Sequence, residues 1–386
     1  MILLISTVLT RRVRSKNILY ERKLFIRGFK EKGEELYERL YDVVRCYSAK
    51  QKRIKQFKRK SSAKALTAEQ VKQVKEFYAP YKIPSMVFHR YFTEKTGEFY
   101  PNYMPQDIYV AYVDPYFNDI RGSKYLDNKC YFESLFRGIP HPFTMLKRVN
   151  GIWVDHENRP VSKERIEQIL AEEPRGVFVK EAETSAGGHG VTYFPDPAEK
   201  LEEILQVAKT YPTDIIIQRE LVQHPDLAAM NPSSVNTYRL YSILGKDGSV
   251  KIYSSVFRVG VGDTKVDNYA SGGVSVGIDE NGVLRSDGFN KKGDKVLAHP
   301  VSGITFLGYQ LPSYDKAVEV VKRAHPMLAH YRSVSWDIAI IEDGTPVLIE
   351  ANLCRGGIDL LQLNNGPLFG DDTKKILDEV FGKDAK

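Results

Sequence analysis

Between residues 177 and 350, short strand-like runs alternate with turn residues, and this pattern restricts the fold more than any other feature. The runs are Val177–Lys180, Val191–Phe194, Ile215–Gln218, Tyr238–Leu244, Lys251–Val259, Val334–Ile341 and Pro346–Glu350. Runs of this length, bounded by Gly, Pro, Asn and Asp, read as strands. Asp247-Gly248 and Glu342-Asp-Gly-Thr345 are hairpin signals, so the strands they join should be antiparallel. Ser162–Glu172, Ala198–Lys209 and Tyr314–Tyr331 carry helical periodicity between or beside these runs. Thr67–Ala79 reads as a further helix, with Thr67 and Gln70 forming a capping box and Pro80 ending it. Residues 80–125, rich in Tyr, Phe and Pro, are expected to be mixed. The fold class expected from this pattern is α+β.

The chain has 386 residues, of which 42% are hydrophobic and 27% charged, enough for a sizeable core and two or three domains. The apolar run Met1–Leu9 falls far short of the roughly 20 residues that span a bilayer. Arg11 and Arg12 follow it instead of preceding it, so neither a transmembrane helix nor a secretory signal is expected. Cys46, Cys130 and Cys354 are too widely spaced for a disulfide framework or a zinc site, which fits a reducing cytosol.

Charge is unevenly placed. Residues 1–65 hold 19 Lys+Arg and 6 Asp+Glu, a balance of +13. The whole chain carries +7, so the remaining residues carry −6. The densest stretch runs from Lys50 to Lys60, and Phe25, Phe29, Leu36, Leu40, Val43 and Val44 recur at helical spacing before it. A solvated helix face, or a helix docked on the body, is one reading. The other is a peripheral contact with an anionic membrane at its inner face, with nucleic acid not the expected partner.

Three constellations carry chemistry. Thr184-Ser-Ala-Gly-Gly-His-Gly190 is a glycine-rich loop between two strands, four residues after Lys180. It lacks the Gly-Lys-Ser/Thr ending of a Walker loop, and a strand follows it where a Rossmann loop has a helix. It reads either as a plain turn or as a backbone cradle for phosphate. Asp337 interrupts the apolar strand Ser335–Ile340, and Glu350 and Asn352 end the next strand two apart, on one side. Their oxygens suit Mg²⁺, and the alternative is a pair of carboxylates satisfied by Arg or Lys. Lys129, Lys180, Arg239 and Arg258 supply cations, and Asn268–Gly273 is a second glycine turn.

In their order these residues resemble the ATP-grasp superfamily. The match begins at Asp127-Asn-Lys129 and Gly138-Ile-Pro-His-Pro142 and passes through Val177–Lys180, the Ser185–Gly190 loop and Gln218-Arg-Glu-Leu-Val222. It continues through Arg239, Arg258, Asn268 and Gly272-Gly273 to Trp336-Asp337 and Glu350-Ala-Asn352, covering about residues 120–370. The stretches 224–239 and 351–357 resemble the sugar-transfer-associated branch of polysaccharide biosynthesis.

The resemblance implies an ATP-grasp fold: a small antiparallel lid, residues 129–220, and a larger sheet-and-helix subdomain, residues 221–386. A basic, mainly helical arm, residues 1–65, and a helical or mixed region, residues 66–128, precede them. The cofactors implied are ATP and Mg²⁺. Lys129 and Lys180 would contact phosphates, Lys180 also lying near adenine, with Ser185, Gly187, Gly188, His189 and Gly190 closing over the phosphates. Gln218, Glu220 and Leu221 would meet adenine and Asp226 the ribose. Asp337, Glu350 and Asn352 would hold Mg²⁺, and Arg239, Arg258 and Arg355 would face the transferred phosphate and acyl group. His189 and Asp226 depart from the family pattern. The implied activity is an ADP-forming carboxylate–amine ligase working through an acyl phosphate on a small-molecule or sugar carboxylate. A peptide ligase of small-molecule biosynthesis and a degenerate ATP-binding module at the membrane are the alternatives. Packing is the expected role of Cys130, Cys354 and Trp336, and the spacing of His325 and His330 does not suit zinc.

Overall fold

Alternation along each strand separates an apolar side from a polar one, and this decides how the elements stack. The computed structural model describes residues 44–61, 65–183, 190–263, 272–285, 287–354 and 356–382. The chain divides into two units, Met1–Lys52 and Arg53–Lys386. In the first, the described residues 44–52 are helical. Residues 1–43 and 62–64 of the expected basic, mainly helical arm lie outside the described residues, as do Ser185, Gly187, Gly188, His189, Asn268 and Arg355.

The second unit contains two antiparallel sheets. Five strands, β1 (Thr144–Val149), β2 (Ile152–Asp155), β3 (Val177–Glu181), β4 (Val191–Phe194) and β5 (Ile215–Arg219), take the order β2-β1-β5-β3-β4. The larger sheet comprises β6 (Thr237–Leu244), β7 (Val250–Val259), β8 (Val274–Gly277), β9 (Gly288–Phe289), β10 (Lys295–Val296), β11 (Ser333–Ile340) and β12 (Pro346–Asn352). Their order is β10-β9-β8-β7-β6-β11-β12. The runs singled out in the sequence are all strands here, while β1, β2 and β8 to β10 were not foreseen. Helix α1 (Ala68–Tyr78) begins at the Thr67–Gln70 capping box, with both reciprocal bonds formed. Residues 80–125 form α2 (Val87–Thr96) followed by short helical turns.

In the small sheet, Val177, Val179, Ile215 and Ile217 pack on α3 (Lys163–Ala171) and α4 (Leu201–Thr210) through Ile166, Leu170, Ile204 and Ala208. Phe178, Lys180, Ile216 and Gln218 therefore face the other way. In the large sheet, Val334, Trp336, Ile338 and Ile340 on β11 join Tyr238, Leu240 and Phe257 against Ala317, Val321 and Ala324 of α6 (Tyr314–Ala324). Between these, α5 (Pro225–Met230) follows the link from the small sheet. Beyond β12, α7 (Ile358–Asn365) and α8 (Thr373–Val380) complete the unit. The expected helix to Tyr331 stops at Ala324 and continues as a 3₁₀ turn, His325–Leu328, because Pro326 cannot donate to the helical ladder.

Trp336 is fully buried, as expected of a core residue, and donates from Nε1 to Ser242 Oγ at 2.8 Å. His325 lies 2.8 Å from the same hydroxyl through Nδ1 and 2.9 Å from the Tyr331 carbonyl through Nε2. A carbonyl only accepts, so Nε2 carries the proton and Ser242 donates to Nδ1. The ring of His89 likewise contacts the Pro101 carbonyl through Nε2 at 3.1 Å.

Burial lowers both imidazoles from 6.5 to about 4. The unfolded chain therefore binds protons first as pH falls, so this contribution to stability is full above about pH 6.5 and is lost towards about pH 4. The melting temperature should drop across that window, and His325→Gln should flatten the slope. An unchanged slope in that variant would remove His325 from the transition.

Candidate active site at the junction of the two sheets

The polar side of the large sheet is built by register. Asp337 on β11 stands opposite Arg239 on β6 and Glu350 on β12. Arg258 on β7 stands opposite Thr237, two residues before Arg239, and opposite Ser275 on β8. Arg239 donates from Nε to Asp337 Oδ1 at 2.7 Å and from Nη2 to Oδ2 at 2.6 Å. Arg258 donates from Nη1 to the same Oδ2 at 3.0 Å. Asn352 adds a longer contact from Nδ2 at 3.4 Å and also donates to the Ser335 carbonyl. Burial by itself raises the Asp337 pKa, but the two guanidiniums and their hydrogen bonds outweigh it and hold the acid at about 2.

The small sheet brings two lysines to this group. Lys129 follows Asn128, whose side chain accepts from the Cys130 amide, and its own amide donates to the Ala182 carbonyl at 2.8 Å. Its Nζ is 3.7 Å from Glu350 Oε1, and that carboxylate keeps a third of its surface exposed. Lys180 donates to Gln218 Oε1 at 2.9 Å and lies over the Phe178 ring at 5.2 Å. Burial and the charge of Lys129 lower its pKa to about 8, with Glu350 opposing. Lysine has no acceptor, so the Gln218 oxygen must face Lys180 and its amide nitrogen must face Thr144 Oγ1, 3.0 Å away.

The segment after Gln218 carries the chain from one sheet to the other. Glu220 accepts from Tyr193 at 2.8 Å, and Leu221 is half-buried. The Val222 carbonyl accepts from the Glu342 amide, and the His224 amide donates to the Ile340 carbonyl. Asp226 lies in the first turn of α5, and its exposed side chain is 3.7 Å from His224. Gly190, in the left-handed region at φ 73°, accepts from the Glu181 amide as β4 begins. Cys130 is buried with its sulfur 3.8 Å from the Ile215 carbonyl, and burial pushes its thiol up to about 12, as suits packing.

The profile of the sugar-transfer associated ATP-grasp proteins matches residues 110–377. The chain belongs to this family. Its two antiparallel sheets and flanking helices are the ATP-grasp fold. Among solved structures, a D-cycloserine synthetase is 14% identical over 70% of this chain and 74% of its own, with a TM-score of 0.40. The ADP complex of an N5-carboxyaminoimidazole ribonucleotide synthetase is 11% identical over 61% of this chain, with a TM-score of 0.39. This chain spans about half of that protein, 47% of its length. The D-alanine–D-alanine ligase of Coxiella burnetii is 9% identical over 69% of this chain and 62% of its own, at 0.38. No curated protein sequence matches the chain.

In this ATP-grasp protein the oxygens of Asp337, Glu350 and Asn352 form a hard donor set of the kind Mg²⁺ takes. Among the described residues no group of three or more His, Cys, Asp or Glu gathers as a metal cage. The donor chemistry fits the ion, but both Asp337 oxygens are engaged by arginine. Lys129, Lys180, Arg239 and Arg258 outnumber Asp127, Asp337 and Glu350, so the group is net positive. A lone divalent cation meets repulsion there, and a polyphosphate would remove it.

Sequence reasoning assigned no role to four residues of this group: Thr144, Phe178, Tyr193 and Asp127. Asp127 carries a visible signal, standing two before Lys129. Burial and the neighbouring Glu350 raise it to about 6. The other three had no signal, because each is placed by cross-strand register.

Asp337→Asn would leave two guanidiniums beside a neutral amide. Breaking a buried pair in this way should cost about 3–5 kcal/mol in urea unfolding. Replacing all three residues by apolar ones, R239M/R258M/D337L, should cost less. A wild-type midpoint in Asp337→Asn would contradict this charge balance.

Proposed function

We propose that the protein is an ATP- and Mg²⁺-dependent ligase that joins a carboxylate to an amine through an acyl phosphate. Supporting this reading above all is the set of four cations, Lys129, Lys180, Arg239 and Arg258, gathered where the two sheets meet. Phosphoryl transfer needs positioning and charge neutralisation more than a general base, and this group offers both.

In the proposed reaction, a lid of residues 129–220 and a larger subdomain of residues 221–386 enclose ATP. Lys129 and Lys180 bind its phosphates under the loop of Ser185, Gly187, Gly188, His189 and Gly190. Gln218, Glu220 and Leu221 contact adenine, and Asp226 the ribose. Arg239, Arg258 and Arg355 hold the transferred phosphoryl and acyl groups. Held by Asp337, Glu350 and Asn352, Mg²⁺ would offset phosphate charge. A substrate carboxylate oxygen forms a bond to the γ-phosphorus as the bond to ADP breaks. The amine nitrogen then attacks the acyl carbon, phosphate leaves, and the nitrogen loses a proton.

The family's association with sugar transfer favours a sugar or cell-surface polysaccharide precursor as the carboxylate donor. The basic arm, residues 1–65, would hold the enzyme at an anionic membrane on its inner face. Among the described residues no helix is long and apolar enough to cross a membrane.

Trapping with hydroxylamine tests the reaction. ATP, Mg²⁺ and a uronic acid should yield a hydroxamate together with ADP, whereas release of AMP, or ADP without hydroxamate from any carboxylate, would overturn the acyl-phosphate route.

Two further outcomes follow from the charges. Mg²⁺ alone should leave the melting temperature unchanged, while Mg²⁺ with a non-hydrolysable ATP analogue should raise it by a few degrees. A full shift with metal alone would refute the requirement for phosphate. Lys180 is charged below its pKa of about 8 and neutral above it. Nucleotide affinity should therefore hold below about pH 8 and weaken above it. Lys180→Arg should abolish that dependence, and titration calorimetry across this range reads both.

A further inference from the structure

An aromatic cluster remote from the cation group joins two stretches more than 200 residues apart. Phe57, from helical residues 53–60, is fully buried against Phe88, Tyr91 and Phe92 of α2, and Phe289 of β9 enters the same cluster. Lys55, Lys58 and Arg59 of that helical stretch stay exposed. Lys60 lies 5.9 Å from the centre of the Tyr91 ring. The turn between β9 and β10 closes over the same tyrosine. A Cβ on Gly293, which holds φ +75°, would stand 2.8 Å from the Tyr91 hydroxyl and 3.3 Å from the Lys95 side chain. Lys292 and Lys295 on this turn are exposed as well.

The chain then presents aliphatic side chains to solvent. Leu297 is two residues beyond Lys295, in the bend that follows β10, and is 67% exposed. The following turn places Val301, 68% exposed, at its tip. The Phe306 amide donates to the Leu297 carbonyl on the way back, and the next residue, Leu307, is exposed. The tip has a set shape, because buried His299 contacts the Gly260 carbonyl through Nε2 at 2.8 Å and Ser302 through Nδ1 at 3.0 Å.

Exposed aliphatics on a fixed turn, next in the chain to the exposed Lys292 and Lys295, match the boundary of a bilayer. There alkyl groups reach the acyl region while ammonium groups stay at the phosphates. A purely electrostatic partner such as nucleic acid would leave Leu297, Val301 and Leu307 unexplained. We propose that this face docks on an anionic lipid bilayer. It lies in the unit Arg53–Lys386 and does not depend on the ligase reading. Its edge strand, β10, belongs to the sheet that carries Arg239, Arg258 and Asp337, three strands from β7. At about 4.8 Å per strand, the lateral offset between β10 and β7 is about 14 Å.

Co-sedimentation of the full chain with vesicles tests the proposal. The wild type should pellet with phosphatidylcholine–phosphatidylglycerol vesicles and stay in solution with phosphatidylcholine alone. L297S/V301S/L307S and, separately, K292E/K295E should each lower the partition about tenfold or more. Their melting temperatures should match the wild type. In a gain-of-signal check, Leu307→Trp should blue-shift its emission only with the anionic vesicles. Wild-type partition by both multiple variants would place any membrane contact elsewhere in the chain and overturn the proposal. So would failure to bind either vesicle. Binding to heparin or RNA that displaces the vesicles and is indifferent to the serine changes would assign the lysines to a polyelectrolyte, and also overturns it.

Discussion

The Asp337 carboxylate, gripped by Arg239 and Arg258, is the interaction on which the site depends. A carboxylate inside an otherwise apolar strand is costly to bury without a counter-charge. Here the counter-charges come from the next two strands, β6 and β7, so three strands must be in register before the acid is satisfied. The opposite side of the same strands is the hydrophobic core around Trp336. A one-residue slip of β11 would drive Asp337 into that core and Trp336 towards the arginines. Core packing and site assembly are therefore one constraint seen from two faces.

The small sheet obeys the same logic with a different outcome. Its odd-numbered residues on β3 and β5 pack on α3 and α4, which turns Lys180 and Gln218 towards the large sheet. There Lys180 meets an acceptor in Gln218 and a like charge in Lys129, which together with burial explains why its proton is loosely held. The segment from Gln218 to His224 is short and bonded at both ends, to β3 through register and to the end of β11 through backbone. It positions the lysines against Glu350 without any side chain having to reach far. The resulting excess of positive charge suits an anionic ligand.

The ATP-grasp resemblance was legible because its residues recur in a fixed order: a lysine pair, a glycine loop, a hinge, two arginines, then Asp337 and Glu350 with Asn352. Most strands were legible because turn residues bracket them, as Asp247-Gly248 does between β6 and β7. The strands overlooked, β1, β2 and β8 to β10, are short or irregular. β1 has a register shift near Thr144, and β9 and β10 have only two residues each. Two readings of the carboxylates were open in the sequence, a metal set or a pair satisfied by arginine. The structure makes the arginine contacts explicit.

The sequence by itself determined the α+β class, the antiparallel hairpins, the start of α1 and the concentration of basic charge near one end. Each of these is carried by residues close together in the chain: alternation, turn chemistry, a capping box, a run of lysines. Only the tertiary structure decided which charges meet. Asp337 and Arg239 are 98 positions apart and Lys180 and Gln218 are 38 apart. Such pairings follow from strand order and register, which depend on how whole faces bury, and no local pattern encodes them. The same holds for Phe57 and Phe289, which share one aromatic cluster because their side chains fill one volume.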